Sequence, residues 1–180
     1  MKTASIQGVP LEYIQSILKI DDNSPSGLSW LVDRKNGKSK RLTFAGCIVK
    51  YKNYKSWRIN LYYQNKSIVL KCSRIIFLLH KGYLAKNKNI DHIDGNPLNN
   101  RVENLREATD YENNQNSKLP KNNTSGIKGV YWDKKSKKWR VMMYAYGKNH
   151  YFGFFESYDE AVKVAMDARK KLHGEFGRDK

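Results

Sequence analysis

The chain has 180 residues, and 34 Lys+Arg against 17 Asp+Glu give it a formal net charge of +17. That length suits one large domain or a few small ones; no run reaches the ~18 apolar residues of a membrane span, and Met1 to Leu11 lack the basic start and apolar core of a signal peptide, so a cytoplasmic, non-secreted protein is expected. Its two cysteines, Cys47 and Cys72, form no CxxC pair, which excludes a four-Cys zinc site and a disulfide framework, and the positive surplus points to a polyanion as partner rather than to a membrane, for which no long basic amphipathic helix is present.

A hydrophobic fraction of 39% can build small cores, so an ordered chain is expected. Leu11 to Ile20 carries enough apolar positions for a short helix, broken by Asn23-Ser24-Pro25-Ser26-Gly27. Leu28 to Val32 reads as a strand. Trp57 to Cys72 reads as a hairpin: Trp57-Arg58-Ile59-Asn60-Leu61 alternates, Gln64-Asn65 turns, and Ser67 to Leu70 returns. Ser73 to His80 predicts a short apolar helix that stops before Gly82. Ile90 to Ile93 is strand-like, Asp94-Gly95 and Asn96-Pro97 are turn dipeptides, and Asn104 to Arg106 is a second extended piece. Thr109 and Glu112 have capping-box spacing, so a helix should begin near Asp110.

Asn113 to Gly126 is rich in Asn, with Ser117, Ser125, Pro120 and Gly126 as breakers, and reads as a polar connection. Beyond it, Gly129 to Trp132, Trp139 to Tyr146 and Tyr151 to Phe155 read as three strands. In the second, Trp139, Val141, Met143 and Ala145 share one face, and Arg140, Met142, Tyr144 and Tyr146 share the other. A helix follows from the Ser157-to-Glu160 capping box to Gly174, with Ala161, Ala165, Ala168 and Leu172 as its apolar stripe. The stripe should pack on the Val141 face, leaving Arg140, Tyr144 and Tyr146 exposed for contact with a DNA groove; the same aromatics could instead finish a small core.

Charge is unevenly placed. From Arg34 to Lys88 there are 15 Lys/Arg and no Asp or Glu, interleaved with Phe44, Tyr51, Tyr54, Trp57, Tyr62 and Tyr63. Cations neutralise phosphates, and aromatic faces either stack on bases or pack in a core. From Asp91 to Glu112 the sign reverses, with six acids and only Arg101 and Arg106 as cations. Such an island repels a phosphate backbone unless a divalent cation is bound there; helix-cap acids account for part of it. His92 sits inside the island, directly after Asp91. A histidine near neutrality can take a proton from an attacking water, and a cation held by a carboxylate and an amide oxygen can stabilise phosphoryl charge. Neighbouring strand residues point to opposite sides, so Asp91 can serve the metal and His92 the water.

The string from Ile90-Asp91-His92-Ile93-Asp94-Gly95-Asn96-Pro97 through Leu98-Asn99-Asn100-Arg101-Val102-Glu103-Asn104-Leu105-Arg106 resembles the HNH endonucleases, particularly the phage and intron-encoded homing type. The resemblance runs over roughly residues 11 to 116. It implies an α+β architecture in which an N-terminal hairpin and helix region leads into a ββα-metal nuclease core at about residues 88–116. It implies Asp91 and Asn113 as metal ligands, His92 as general base, and Asn104 as the residue that ties the inter-strand loop together and helps orient His92. Asn114 adjoins Asn113 as the other candidate at that position. Many relatives have His where Asn113 stands, and some carry structural zinc Cys pairs absent here. Mg²⁺ is the expected ion, with Mn²⁺ as the other candidate, and no structural zinc or small-molecule cofactor is expected.

Residues from about Ser125 to Gly177, through Lys128-Gly129-Val130, Lys138-Trp139-Arg140-Val141, Tyr151 to Phe155 and Asp159-Glu160-Ala161, resemble the AP-two/ERF DNA-binding domain. That family is a three-stranded antiparallel sheet packed on one helix. Its Arg-rich first strand is not reproduced, since Tyr131-Trp132-Asp133 stands there, so no target sequence carries over. The expected division is therefore 1–116, a nuclease domain; 117–125, a linker; and 126–177, a DNA-binding domain. Arg74, Arg101, Arg106, Lys128, Arg140 and Tyr144 are the candidate DNA contacts, with ion pairs to nearby acids as the other reading of the first three. The leading expectation is a monomeric, metal-dependent endonuclease that nicks double-stranded DNA. The alternative is a DNA-binding regulator with a decayed nuclease site.

Overall fold

Short antiparallel pairings, rather than one large sheet, organise the first part of the chain. The computed structural model describes residues 2–33, 41, 43–52, 54–117, 119–120 and 122–178; the expected linker at 118 and 121, and the start of the acid-free basic block at 34–40, lie outside the described residues. The chain divides into two units, Met1–Asp110 and Tyr111–Lys180. Both are mixed α and β, with small antiparallel sheets and few helices. Among the described residues no helix is long and apolar enough to cross a membrane.

In the first unit the strands are β1 (Lys2–Thr3), β2 (Ser5–Ile6), β3 (Val9–Pro10), β4 (Leu18–Ile20), β5 (Leu28–Trp30), β6 (Cys47–Tyr51), β7 (Tyr54–Tyr63), β8 (Lys66–Lys71), β9 (Leu84–Ala85), β10 (Asn89–His92) and β11 (Leu105–Ala108). Helices α1 (Leu11–Ile17) and α2 (Cys72–Lys81) pack on one another. The sheets pair as β1-β9, β2-β3, β4-β5, β6-β7-β8 and β10-β11. The α1 helix is shorter than the Leu11-to-Ile20 expectation. From Leu18 the apolar period changes from helical to alternating, and Leu18 and Ile20 face Trp30 and Leu28 across a ladder. Burying that alternation on β5 displaces the last helical turn. The apolar helix expected after Lys71 runs from Cys72 and ends where the Gly82 N–H returns to Leu78 O, 2.8 Å away, with Gly82 at φ +76°. Its Ile75, Ile76 and Leu78 are buried in the core with Ile14, Leu18, Leu28, Ile59, Leu61 and Leu70. Each such side chain contributes about 1.5–3 kcal/mol by burial. The same helix packs on β7, β8, β10 and β11, so the core directly supports the acidic segment.

In the second unit, α3 (Asp110–Gln115) crosses the division, and β12 (Val130–Asp133), β13 (Lys138–Ala145) and β14 (Lys148–Phe155) form an antiparallel sheet of order β12-β13-β14. Helix α4 (Tyr158–His173) covers one face. Ser157 caps it, its Oγ accepting the Glu160 N–H, and Gly174 ends it at φ +54°. Ala161, Ala165 and Ala168 let the helix approach Val130, Val141 and Met143 closely. A β-bulge between Val141 and Met142 shifts the register against β14.

Candidate active site

The β10-β11 hairpin pairs Asp91 with Arg106 and His92 with Leu105. Asp91 is 6% exposed, and its Oδ2 lies 3.0 Å from Arg106 Nε. A carboxylate this deep needs a charged partner, and the opposed guanidinium supplies it. His92, on the other side of the strand, is half-buried. Its Nε2 lies 3.0 Å from Asn100 Oδ1, and Asn100 Nδ2 donates to the Ser26 carbonyl at 2.9 Å. Burial pushes the imidazole below its ordinary range, with the Lys71 charge acting in the same direction. The Asn100 hydrogen bond and the Asp94 and Asp91 carboxylates pull the other way without reversing it. The ring is therefore neutral at neutral pH, which is the form that accepts a proton.

The loop between the strands is closed by amides. Asn104 Oδ1 accepts the Asp94 N–H at 3.0 Å, while its Nδ2 donates to Asp94 Oδ1 at 3.0 Å and to Asn99 O at 2.8 Å. Asp94 also accepts the Asn96 N–H at 2.7 Å and Asn99 Nδ2 at 2.8 Å. Burial raises the Asp94 pKa, but these hydrogen bonds outweigh it and hold the carboxyl below the usual carboxylate range. Asn104 thus binds the loop, and Asn100 is hydrogen-bonded to His92. Neither Asn100 nor Ser26 was assigned a role from sequence. The Asn99-Asn100 dipeptide lay inside the recognised string, but a contact to a residue at position 26 leaves no local pattern.

The remaining candidates are dispersed. Arg74, on α2, reaches Lys88 O with Nη1 at 3.3 Å, and burial lowers its pKa. Arg101 is exposed, at the start of the 3-10 turn Val102–Asn104. Arg106 is engaged by Asp91. Asn113 is half-buried on α3, in the second unit. In that unit Arg140 lies 5.8 Å over the Tyr131 ring, and Tyr144 is 57% exposed. Trp132, Tyr146, Tyr151 and Phe154 are exposed as well. Lys128 turns its ammonium to the chain, donating to the Gln115 and Ser117 carbonyls. Among the described residues no group of three or more His, Cys, Asp and Glu side chains converges as a metal cage.

Residues 71–115, which include Asp91, His92, Asn100 and Asn104, match the family model of the HNH endonucleases. Protein 3.8 of Escherichia phage T7 is 48% identical over 99 residues, covering 54% of this chain and 79% of that protein. No solved structure matches significantly. The α4-backed sheet lies outside the matched HNH segment. With four-fifths of the phage protein covered at that identity, the chain belongs to the same family as Protein 3.8 and carries an HNH endonuclease domain at residues 71–115.

Proposed function

We propose that the chain is a metal-dependent endonuclease of the homing HNH type that nicks double-stranded DNA. The observation that carries this reading is the juxtaposition on β10 of a buried carboxylate, Asp91, and a neutral, amide-bound imidazole, His92, on opposite sides of one strand. His92 takes a proton from a water whose oxygen attacks phosphorus. The P–O3′ bond then breaks, and the departing 3′ oxygen gains a proton from solvent. Asn104 holds the loop, through Asp94 and Asn99, in the shape that presents His92.

A hard cation fits the donor set: Asp91 offers carboxylate oxygen, and such ions complete their spheres with water and phosphate rather than a full protein cage. Asp91 would hold it, and Asn113 is carried over as the second ligand by resemblance alone. Bound Mg²⁺, or Mn²⁺, would stabilise charge on the transferring phosphoryl group and its leaving oxygen. Strand, loop, strand and helix follow one another here in the order of a ββα-metal core.

We divide the work as 1–116 for cleavage, 117–125 as connection and 126–177 for DNA binding in the manner of an AP-two/ERF-like sheet. The sheet's exposed aromatics, Tyr144 and its neighbours, with the half-buried Arg140 over Tyr131, support the latter, and Arg74 and Arg101 add phosphate contacts. That face also favours the second reading, a DNA-binding regulator without turnover. One site per chain, acting as a monomer, cuts one strand per binding event. The test is supercoiled plasmid carrying the gene's own flanking DNA, treated with protein plus Mg²⁺, with EDTA, or with His92→Ala. Open circles only with Mg²⁺ and the intact histidine support the nuclease; tight binding without product supports the regulator.

A further inference from the structure

We infer that Asn100 is a positioning residue that fixes the tautomer of His92, and that it is itself set by the Ser24–Gly27 turn, outside the matched HNH segment. Two hydrogen bonds carry the argument. The Ser26 carbonyl can only accept, so the Asn100 group facing it at 2.9 Å is the Nδ2 amine. The amide oxygen is then the atom facing His92 Nε2 at 3.0 Å. That oxygen also can only accept, so Nε2 carries the proton. In a neutral imidazole the lone pair consequently sits on Nδ1. The base in this chain is Nδ1, and when it takes a proton the Nε2–H bond to Asn100 persists, so the relay serves both states of the ring.

The relay is built to hold. Asn100 is 5% exposed and Ser26 fully buried. The turn is closed by Gly27 N–H to Ser24 O at 2.9 Å and Asp21 N–H to Gly27 O at 3.0 Å. Ser26 Oγ donates to the Ala45 carbonyl, which ties the turn to the strip beside β5. Gly27 is at φ +81°, and a Cβ there would stand 2.7 Å from Ile76 Cδ1 and 3.3 Å from Asn100 Cβ. Only glycine lets the turn lie against both α2 and Asn100. An amide flip would set two oxygens against each other at Ser26, so the Ser26 carbonyl fixes the amide orientation and, through it, the tautomer.

The inference rests on His92 being the base, and the experiment separates the two claims. Long-range ¹H–¹⁵N spectra of the full chain, with ¹⁵N-labelled histidine and His92 assigned by its loss in His92→Ala, read the tautomer directly. The Nε2–H form is expected in the wild type. Asn100→Leu should mix the tautomers and lower kcat for plasmid nicking about ten- to a hundredfold with KM unchanged. Gly27→Ala, whose Cβ would press on Ile76 and Asn100, should shift the tautomer in the direction of Asn100→Leu. A wild-type Nδ1–H tautomer overturns the relay, and needs no variant to fold. So does a folded Asn100→Leu with wild-type tautomer and kcat. Wild-type protein that shows the Nε2–H form but cuts no DNA overturns the nuclease reading, while the tautomer arm still supports the relay.

Discussion

The two units differ in what their buried polar groups are joined to: an acid, a histidine and amides at one hairpin in the first, and mostly backbone carbonyls in the second. In the first, polar side chains go inward: Asp91, Asn100, Asn104 and Ser26 are buried, and each is bound by a named partner. In the second, the interior is mainly the small apolar seam of Ala161, Ala165, Ala168, Val141 and Met143, with Arg169, Asn116 and Ser125 buried beside it, and the exposed large side chains of the sheet are Tyr131, Trp132, Tyr144, Tyr151 and Phe154. A buried polar network is costly unless every member is satisfied, and its return is fixed geometry. An exposed aromatic face costs little to keep and fits a flat partner. On the proposed reading chemistry belongs to the first unit and DNA binding to the second, so substitutions in the two units should separate turnover from binding.

The largest separation is expected at His92. His92→Ala should lower plasmid nicking by about 10²–10⁴-fold, the usual worth of a general base, with DNA affinity by gel shift unchanged. Equal losses of cutting and binding would break the comparison. Next is Arg106→Ala, which removes the guanidinium beside the buried Asp91 carboxylate. Stability should fall by about 3–5 kcal/mol in urea unfolding, the cost of breaking a buried pair. Added Mg²⁺ should restore part of it if Asp91 faces a cation site, and none if Arg106 is its whole purpose. Gly129→Ala probes the other unit. At φ +80° a Cβ there would sit 2.9 Å from Met143 Cγ and 3.1 Å from Met142 O, so about 1–3 kcal/mol should be lost from the β12-β13 packing with kcat on bound DNA unaffected.

How much of this was legible in the sequence depended on distance along the chain. Local signals read well: the Gln64-Asn65 turn joins β7 to β8, Gly82 ends α2, Ser157 and Gly174 bound α4, and in β13 Val141, Met143 and Ala145 are buried while Tyr144 is exposed, although Arg140, expected outside, is half-buried. Signals that rest on pairing did not. β6 escaped because Cys47, Ile48, Lys50 and Tyr51 are all exposed on an edge strand, which leaves no alternation to find. Leu18 to Ile20 was read as helix because its partner, Leu28 to Trp30, lies across an intervening turn. The same limit governed the candidate site. Asp91, His92 and Asn104 stand in one short string, whereas the His92-Asn100-Ser26 chain of contacts spans 74 residues at its longer step. The role of Lys128 was likewise invisible, since its ammonium is directed by the course of the backbone at Gln115 and Ser117.

Two smaller effects sharpen the contrast. Arg140→Gln should weaken DNA binding uniformly across sequences and reduce the slope of log affinity against log salt by about one, without changing kcat on bound DNA. The last concerns acid. His173, at the end of α4, has Nε2 3.3 Å from Tyr144 O. Burial pushes its pKa below the ordinary imidazole value, helped by the charges of Arg169, Lys128 and His150 and opposed by the Tyr144 carbonyl. A folded pKa that is lowered means the unfolded chain binds the proton first. The stability at stake is therefore fully present above about pH 6.5, the unfolded value, and is lost as pH falls through the lower folded one. Amide exchange in β13 and α4 should accelerate between neutral pH and pH 5 beyond its intrinsic acid dependence, and His173→Gln should flatten that excess. Asp94 in the first unit predicts the later step, because its carboxyl is held below the carboxylate range and its loop network gives way only when that group protonates. Mild acid should thus loosen the end of α4 while the Asp94-Asn104 loop keeps its protection; simultaneous loss of both would mean that one cooperative acid transition, rather than two local titrations, governs the chain.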